Sequence, residues 1–212
     1  MLSFSTSIAL LISYLYGSIP TAIWLGKALY GIDVREYGSG NAGATNTFRI
    51  LGKKAGIPVL IIDVLKGFTA TNLVYFVGNF TPGTPQFSNF QLVLGITAVV
   101  GHIFPIFAGF RGGKGIATLF GMIIAVHPEA SGIACIVFII TLIITKYVSL
   151  SSMLASFMFP VIIILFFNES TTKTQLLFAI SVCILVMFTH QKNIERLLKG
   201  KESKANLFKK TT

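Results

Sequence analysis

Apolar and polar positions divide the chain into long apolar runs joined by polar, glycine-rich or basic links. A membrane-crossing helix needs about 20 apolar residues, fewer where it is broken or buried in protein. The first such run is about 4–26, with Pro20 near its middle. A polar loop, about 31–54, leads to a second span at about 56–77, and the link 78–88 leads to a third at about 89–108. A basic loop, FRGGKG (110–115), opens a brief run at about 116–127, closed by His127 and Pro128. That run is too short for an ordinary span and reads as a short helix buried against neighbours. Three further spans follow at about 129–146, 151–167 and 175–190, then a basic tail, 191–212. The pattern predicts a single all-α integral membrane domain over 1–212, with seven transmembrane helices, one of them short. The N-terminus has no basic region or small-residue cleavage site, so the first run reads as a permanent span rather than a signal peptide.

Composition sharpens this. Of the 212 residues, 53% are hydrophobic and only 11% charged, with a mean hydropathy of +0.79. A soluble surface carries about 25% charge, so a soluble domain is excluded, and disorder is excluded by the hydrophobicity. Yet 17 Lys and Arg stand against 7 Asp and Glu, a net charge of +10. If every run crosses, all the basic residues except Lys66 and Lys173 share one side. They lie in 27–54, 109–115, at Lys146 and in 191–212. The positive-inside rule makes that side cytoplasmic, with the N-terminus outside and the C-terminus inside. A five-span topology, with the short run re-entrant and one other run not crossing, is the alternative. The one-sided charge favours seven. Cys135 and Cys183 each sit in an apolar run and read as free, buried thiols.

Within the second span, Asp63 and Lys66 are three residues apart, on one helix face. Charges are costly in hydrocarbon, so this pair should face protein, as a structural ion pair or by shaping a polar site.

Three polar clusters fall on the cytoplasmic side. The first is GSGNAGATNTFR, Gly38 to Arg49. Its glycines let backbone N–H groups approach an anion. Ser39, Asn41, Thr45 and Asn46 add neutral donors, and Arg49 adds a planar charged fork. This chemistry suits an oxyanion such as phosphate; a turn-rich connector is the plainer alternative. The same stretch contains G-x-G-x-x-G, but a membrane span precedes it where a dinucleotide fingerprint needs a strand. The second cluster is FRGGKG, where Gly112, Gly113 and Gly115 surround Lys114 at a helix start. Such a start has unpaired N–H groups and partial positive charge, again an anion cradle, or a basic anchor at lipid headgroups. A Walker A loop would need Gly at 108 and Ser or Thr at 115, where the chain has Ala108 and Gly115. The third is HQKNIERLLKGKE, in which His190 and Asn193 share a helix face. A histidine there serves as acid, base or donor, or simply partners the helix end. His102, before Pro105, reads as packing or loop support, and His127 falls on the outer side. There is no G-x-S-x-G, no H-E-x-x-H and no cysteine–histidine metal spacing. The H-x4-D arrangement of many glycerolipid acyltransferases is missing too: Phe107, Gly132 and Glu195 follow the three histidines at that spacing.

These three motifs, in this order and between these spans, resemble the bacterial acyl-phosphate:glycerol-3-phosphate acyltransferases, the PlsY family. DVLKGF (63–68) and KYVSLSSM (146–153) fit the same pattern, so the resemblance covers nearly the whole chain. It implies a seven-span enzyme of the bacterial cytoplasmic membrane with its active site on the cytoplasmic side. Such an enzyme moves a fatty acyl group from acyl phosphate to the 1-hydroxyl of sn-glycerol 3-phosphate, giving lysophosphatidic acid and inorganic phosphate. It uses no cofactor or metal, and neither acyl-CoA nor acyl carrier protein directly. By motif match, Ser39 and Arg49 fall on essential positions, and Gly112, Gly113, Lys114 and Gly115 fall on the phosphate loop. Ser152 falls on a substrate-contacting serine, His190 and Asn193 on an active-site pair, and Glu202 on an acidic position tied to integrity. Asp63 and Lys66 read as structural. The implied partners are the two substrates and membrane lipid, with no nucleic acid; a transient contact with an acyl-phosphate-producing enzyme stays open.

Direct attack by the glycerol hydroxyl and an acyl-Ser39 intermediate both remain consistent with these residues. Two other classes compete. A phosphate-solute transporter would use similar loops at broken helices, but no inverted repeat is visible and the polar residues cluster on one side. A non-catalytic scaffold would not need three convergent polar loops.

Overall fold

The computed structural model describes residues 3–78, 80–168 and 171–205. Among these residues all regular structure is helical, with no strand. Contacts divide the chain into two units, one up to Val126 and one from His127 onward.

The first unit holds α1 (Phe4–Gly17), α2 (Thr21–Tyr30), α3 (Ala44–Leu51), α4 (Lys53–Asn72), α5 (Pro85–Ile103) and α6 (Ile116–Val126). The run expected at 4–26 is broken: α1 and α2 meet at 41° around Pro20, whose nitrogen has no hydrogen to continue the helix. α2 stops at Gly31, in the left-handed region at φ +68°, with the N–H of Ile32 donating to Gly26 O at 3.2 Å. This is the common glycine-terminated helix end. The loop read as 31–54 is not all loop, because Gly43 to Gly52 bracket the two-turn helix α3. Its buried Asn46 and Thr47 and its core-facing Phe48 carry a helical period that the polar composition hides.

Lipid tails are as apolar as leucine, so helices in a bilayer associate chiefly by close packing, often at small residues. α4 and α6 do this at glycines. A Cβ placed on Gly67 would lie 1.8 Å from the Thr118 carbonyl oxygen, and one on Gly121 would lie 1.9 Å from that of Val64. α1 and α5 repeat the device: Gly17 faces the Ala98 carbonyl, Gly101 faces that of Tyr14, and Ser13 Oγ donates to Leu94 O at 2.5 Å. Val74, Phe87, Phe90 and Leu94 fill one apolar cluster, and Ala22, Ile23, Val34, Ala42 and Val59 fill another beneath the first polar loop.

The second unit holds α7 (Pro128–Thr145), α8 (Val148–Phe166), α9 (Lys173–Thr189) and α10 (Gln191–Leu198). α7 packs on α8 and α8 on α9. α9 starts with a capping box between Thr172 and Gln175, which satisfies otherwise unpaired N–H groups. Ile139, Ile140, Ile143 and Ile144 of α7 point outward, an arrangement suited to lipid. Cys135 and Cys183 are free but half-buried rather than buried, on outward-facing stretches of α7 and α9.

Every apolar run is therefore helical, but the lengths refine the count. Four segments are long and apolar enough to cross, and up to six if the bent pairs α1–α2 and α9–α10 each count as one span. α6 has 11 residues and rises only about 16 Å against a hydrocarbon core of about 30 Å.

Candidate functional site

In the first unit the polar loop after α2 is built around two side chains. Asp33 Oδ1 accepts the Arg35 backbone N–H at 3.0 Å, starting a short helical turn at Val34–Glu36. The Arg35 guanidinium grips the same carboxylate with Nε and Nη2, at 3.0 and 2.8 Å, and Lys27 Nζ stands 3.4 Å away. These bonds, led by that from Arg35, hold the Asp33 carboxyl well below the usual carboxylate range. Asn46, 1% exposed, is the second. Its Oδ1 accepts the Ser39 N–H at 2.9 Å, and its Nδ2 donates to Val34 O at 2.8 Å and Tyr37 O at 3.1 Å. Both amide hydrogens are thus spent on backbone carbonyls, so the amide shapes the loop. Gly38 and Gly40 turn the chain at φ +60° and +72°, values that side-chain-bearing residues avoid. The loop presents Ser39 on its exposed outer face, Asn41 half-buried, and Arg49 exposed in the last turn of α3.

The second loop doubles back onto the end of α5. Gly112 N–H donates to Ile103 O at 3.1 Å and Gly113 N–H to His102 O at 3.2 Å. A Cβ on Gly112 would lie 2.0 Å from the His102 carbonyl oxygen, and one on Gly113 would lie 2.3 Å from His102 Nε2. The sequence offered these N–H groups to an anion; the fold spends them on α5. The two glycines instead let the loop lie flat, bringing half-buried Lys114 and buried Gly115 to the start of α6. Arg35 Nη1 reaches this loop too, donating to Ala108 O at 3.0 Å and Arg111 O at 3.3 Å.

Below the loops, Lys66 Nζ pairs with Asp63 Oδ1 at 2.6 Å, both residues 1% exposed, and also donates to the Ile19 carbonyl at the Pro20 break. The Asp63–Lys66 pair therefore faces protein and pins the broken span. His102 Nδ1 lies 3.8 Å from the same Asp63 oxygen.

In the second unit the backbone bends by 60° between α9 and α10, with His190 at the corner. Its Nδ1 lies 2.8 Å from Val186 O. A carbonyl only accepts, so Nδ1 carries a hydrogen and donates it to Val186 O. Asn193 Nδ2 donates to Glu202 Oε1 at 2.7 Å, Ser149 Oγ donates to the same oxygen at 2.8 Å, and Arg196 Nε donates to Oε2 at 2.7 Å. Burial raises the Glu202 pKa, but the bonds from Asn193, Arg196 and Ser149 outweigh it and leave the carboxyl below its ordinary value. Ser152 and its neighbour Ser151 are buried and donate to the carbonyls of Val148 and Tyr147. The basic tail returns to the α7–α8 turn: Ala205 N–H donates to Lys146 O at 2.7 Å, and Lys204 Nζ lies over the Tyr147 ring. Lys209 and Lys210 lie outside the described residues. His127 Nε2 lies 3.2 Å from Thr171 Oγ, beside the α6–α7 junction.

The sequence reading missed Asp33, Arg35 and Ser149 as site-shaping residues. The D-x-R spacing at Asp33 and Arg35 was the available signal; nothing local marked Ser149.

The family model for glycerol-3-phosphate acyltransferase matches residues 7–200. A glycerol-3-phosphate acyltransferase of Fusobacterium nucleatum is 43% identical over 203 residues, covering 92% of this chain and 95% of that protein. One from Chlorobium phaeobacteroides is 40% identical over 226 residues, covering 94% and 96%. Among solved structures, PlsY (YgiH), an integral membrane glycerol 3-phosphate acyltransferase, matches in its glycerol 3-phosphate form with a TM-score of 0.82 at 36% identity, covering 94% of this chain and 95% of that one. Its lysophosphatidic acid form matches with a TM-score of 0.79 at 35% identity and the same coverage.

Proposed function

The chain belongs to the glycerol-3-phosphate acyltransferase family, and from that premise we propose that its acyl donor is acyl phosphate, with lysophosphatidic acid and inorganic phosphate as products. The observation that carries this reading is the pair of polar loops in the first unit, one presenting Ser39 and Arg49, the other Lys114, joined by the Arg35 side chain. Two phosphate-bearing substrates need such a basic, glycine-lined surface.

The donor is a mixed anhydride and already has a good leaving group. Catalysis then needs positioning and neutralisation of two phosphates. The glycerol 3-phosphate 1-hydroxyl attacks the acyl carbon, a C–O bond forms, and the acyl carbon–oxygen bond to phosphate breaks. The phosphate leaves with the electron pair. Arg49 and Lys114 hold phosphate, Ser39 and Asn41 donate hydrogen bonds, and Ser152, whose hydrogen goes to Val148 O, offers its oxygen as an acceptor. Asn193 also donates, oriented by Glu202. His190 takes the hydroxyl proton or orients the hydroxyl; the substrate's own phosphate is the competing base. Asn46, Gly112, Gly113 and Gly115 shape the loops, and Asp63 and Lys66 support them.

We further read the chain as one membrane domain of the bacterial inner membrane, with seven crossings, an outside N-terminus and a cytoplasmic site and tail. The one-sided Lys and Arg support this, as does a family match that runs through both units. Single cysteines placed at the exposed positions Lys201 and Ser5 in a chain lacking Cys135 and Cys183 should label from the cytoplasmic and outer faces respectively. Labelling of both from one face would overturn seven crossings.

The donor is tested by giving purified protein glycerol 3-phosphate with acyl phosphate, acyl-CoA or acyl carrier protein thioester, and following lysophosphatidic acid. Product is expected from acyl phosphate, with inorganic phosphate in equal amount. Product from a thioester alone would defeat the donor assignment.

A further inference from the structure

The two polar loops of the first unit are joined by a side chain that belongs to neither glycine motif. We propose that Arg35, its plane fixed by Asp33, is a positioning residue that sets the spacing between the Ser39 loop and the Lys114 loop. The inference rests on the acyltransferase reading and adds a residue to it.

The argument starts from the shape of guanidinium, a rigid planar fork of five N–H donors. Nε and Nη2 are both taken by the Asp33 carboxylate, at 3.0 and 2.8 Å. That bidentate pairing fixes the plane of the group. Nη1 is then aimed at Ala108 O and Arg111 O, at 3.0 and 3.3 Å. The two carbonyls bracket Gly109 and Phe110, both with positive φ, +62° and +59°. For a phenylalanine this is a strained conformation, which persists only when its surroundings impose it. Arg111 is three residues before Lys114, so what holds Arg111 also limits where Lys114 can sit.

The near end of the clasp is anchored as well. Val34, beside Arg35, is 0% exposed and packs with Ala22, Ile23, Ala42 and Val59. Its carbonyl accepts from Asn46, the amide that also holds the Ser39 N–H. A short run of bonds therefore leads from Ser39 through Asn46 and Val34 to Arg35 and on to the Lys114 loop. Lysine in place of Arg35 keeps the charge, but its single nitrogen cannot serve a carboxylate and two carbonyls in that plane.

The test uses full-length protein in detergent or lipid discs. Arg35→Lys is expected to lower kcat/KM for acyl transfer by about tenfold or more, with its thermal midpoint within a few degrees of wild type. Added to Lys114→Ala, the same change should cost less than about threefold, because residues that act through one another are not additive. Amide exchange at Gly112 and Gly113 should speed up in Arg35→Gln. Wild-type kinetics in Arg35→Lys, a full repeat of its loss on the Lys114→Ala background, or unchanged exchange would each overturn the inference. Should Arg35→Lys fail to fold, Asp33→Asn frees the same plane and is read by the same criteria. A wild-type protein that makes no lysophosphatidic acid from any donor would instead sink the acyltransferase reading, and amide exchange would still decide the clasp.

Discussion

Gly67→Leu should leave almost no monodisperse protein after extraction from the membrane. The α4–α6 contact has no room for a side chain: the first added carbon would sit 1.8 Å from a backbone oxygen of Thr118. On the opposite face of the same crossing, Gly121 is as close to the Val64 carbonyl. Side chains can rotate away from a clash, but here two helix backbones must part. Overpacking of a core costs about 1–3 kcal/mol when side chains can adjust, and this case should exceed about 3 kcal/mol, a large share of the roughly 5–15 kcal/mol that holds a domain together. The parting would also strain Asp63 and Lys66, which lie on the same stretch of α4. Gly132→Leu on α7 is the matched control, since nothing lies within 4 Å of its added Cβ, and it should change stability by no more than about 0.5 kcal/mol. Size-exclusion profiles and thermal midpoints of the two variants decide the matter; equal behaviour would mean that α4 and α6 do not cross so closely.

Arg49→Ala and Lys114→Ala should each reduce kcat/KM by roughly 10- to 150-fold. A hydrogen bond to a charged group contributes about 1.5–3 kcal/mol, and each 1.36 kcal/mol is about tenfold in rate. Neither side chain lies in a helix crossing: Arg49 is exposed and Lys114 half-buried, so the loss should appear in kinetics with little change in thermal midpoint. Unchanged kinetics in either variant would remove that residue from phosphate binding. Ser39→Ala, measured beside them, separates the two chemical routes. Its hydroxyl supplies one neutral hydrogen bond in direct attack, worth about 0.5–1.5 kcal/mol, so turnover should fall by about tenfold at most. An acyl-Ser39 route would lose turnover altogether, and labelled acyl-enzyme would accumulate in wild type when glycerol 3-phosphate is withheld.

The apolar runs were legible because a bilayer demands long, internally hydrogen-bonded helices, and every expected run but the first, which breaks at Pro20, is one helix near its expected limits. The Asp63–Lys66 pair was legible too, since spacing and the cost of charge in hydrocarbon both required a partner. α3 was hidden by its polar composition, within a loop dense in turn formers. The fate of individual N–H groups was less accessible. Glycines beside a lysine suggested an anion cradle, but whether Gly112 and Gly113 donate to a ligand or to α5 depends on a chain reversal that the sequence does not state. Asn46 looked like one of several donors, but it is buried with both amide hydrogens spent on backbone carbonyls. Ser149 and Glu202 are 53 residues apart, and no periodicity spans that gap.

Among the described residues, the carboxylate of Glu202 follows its donors Ser149, Asn193 and Arg196 in the chain. On the ribosome those donors emerge first and must stay hydrated, or borrow other acceptors, until Glu202 is made. The second unit therefore cannot reach its final arrangement at the α9–α10 corner by folding strictly in step with synthesis. A chain arrested just short of Glu202 would leave Ser149, Asn193 and Arg196 without the carboxylate that gathers them.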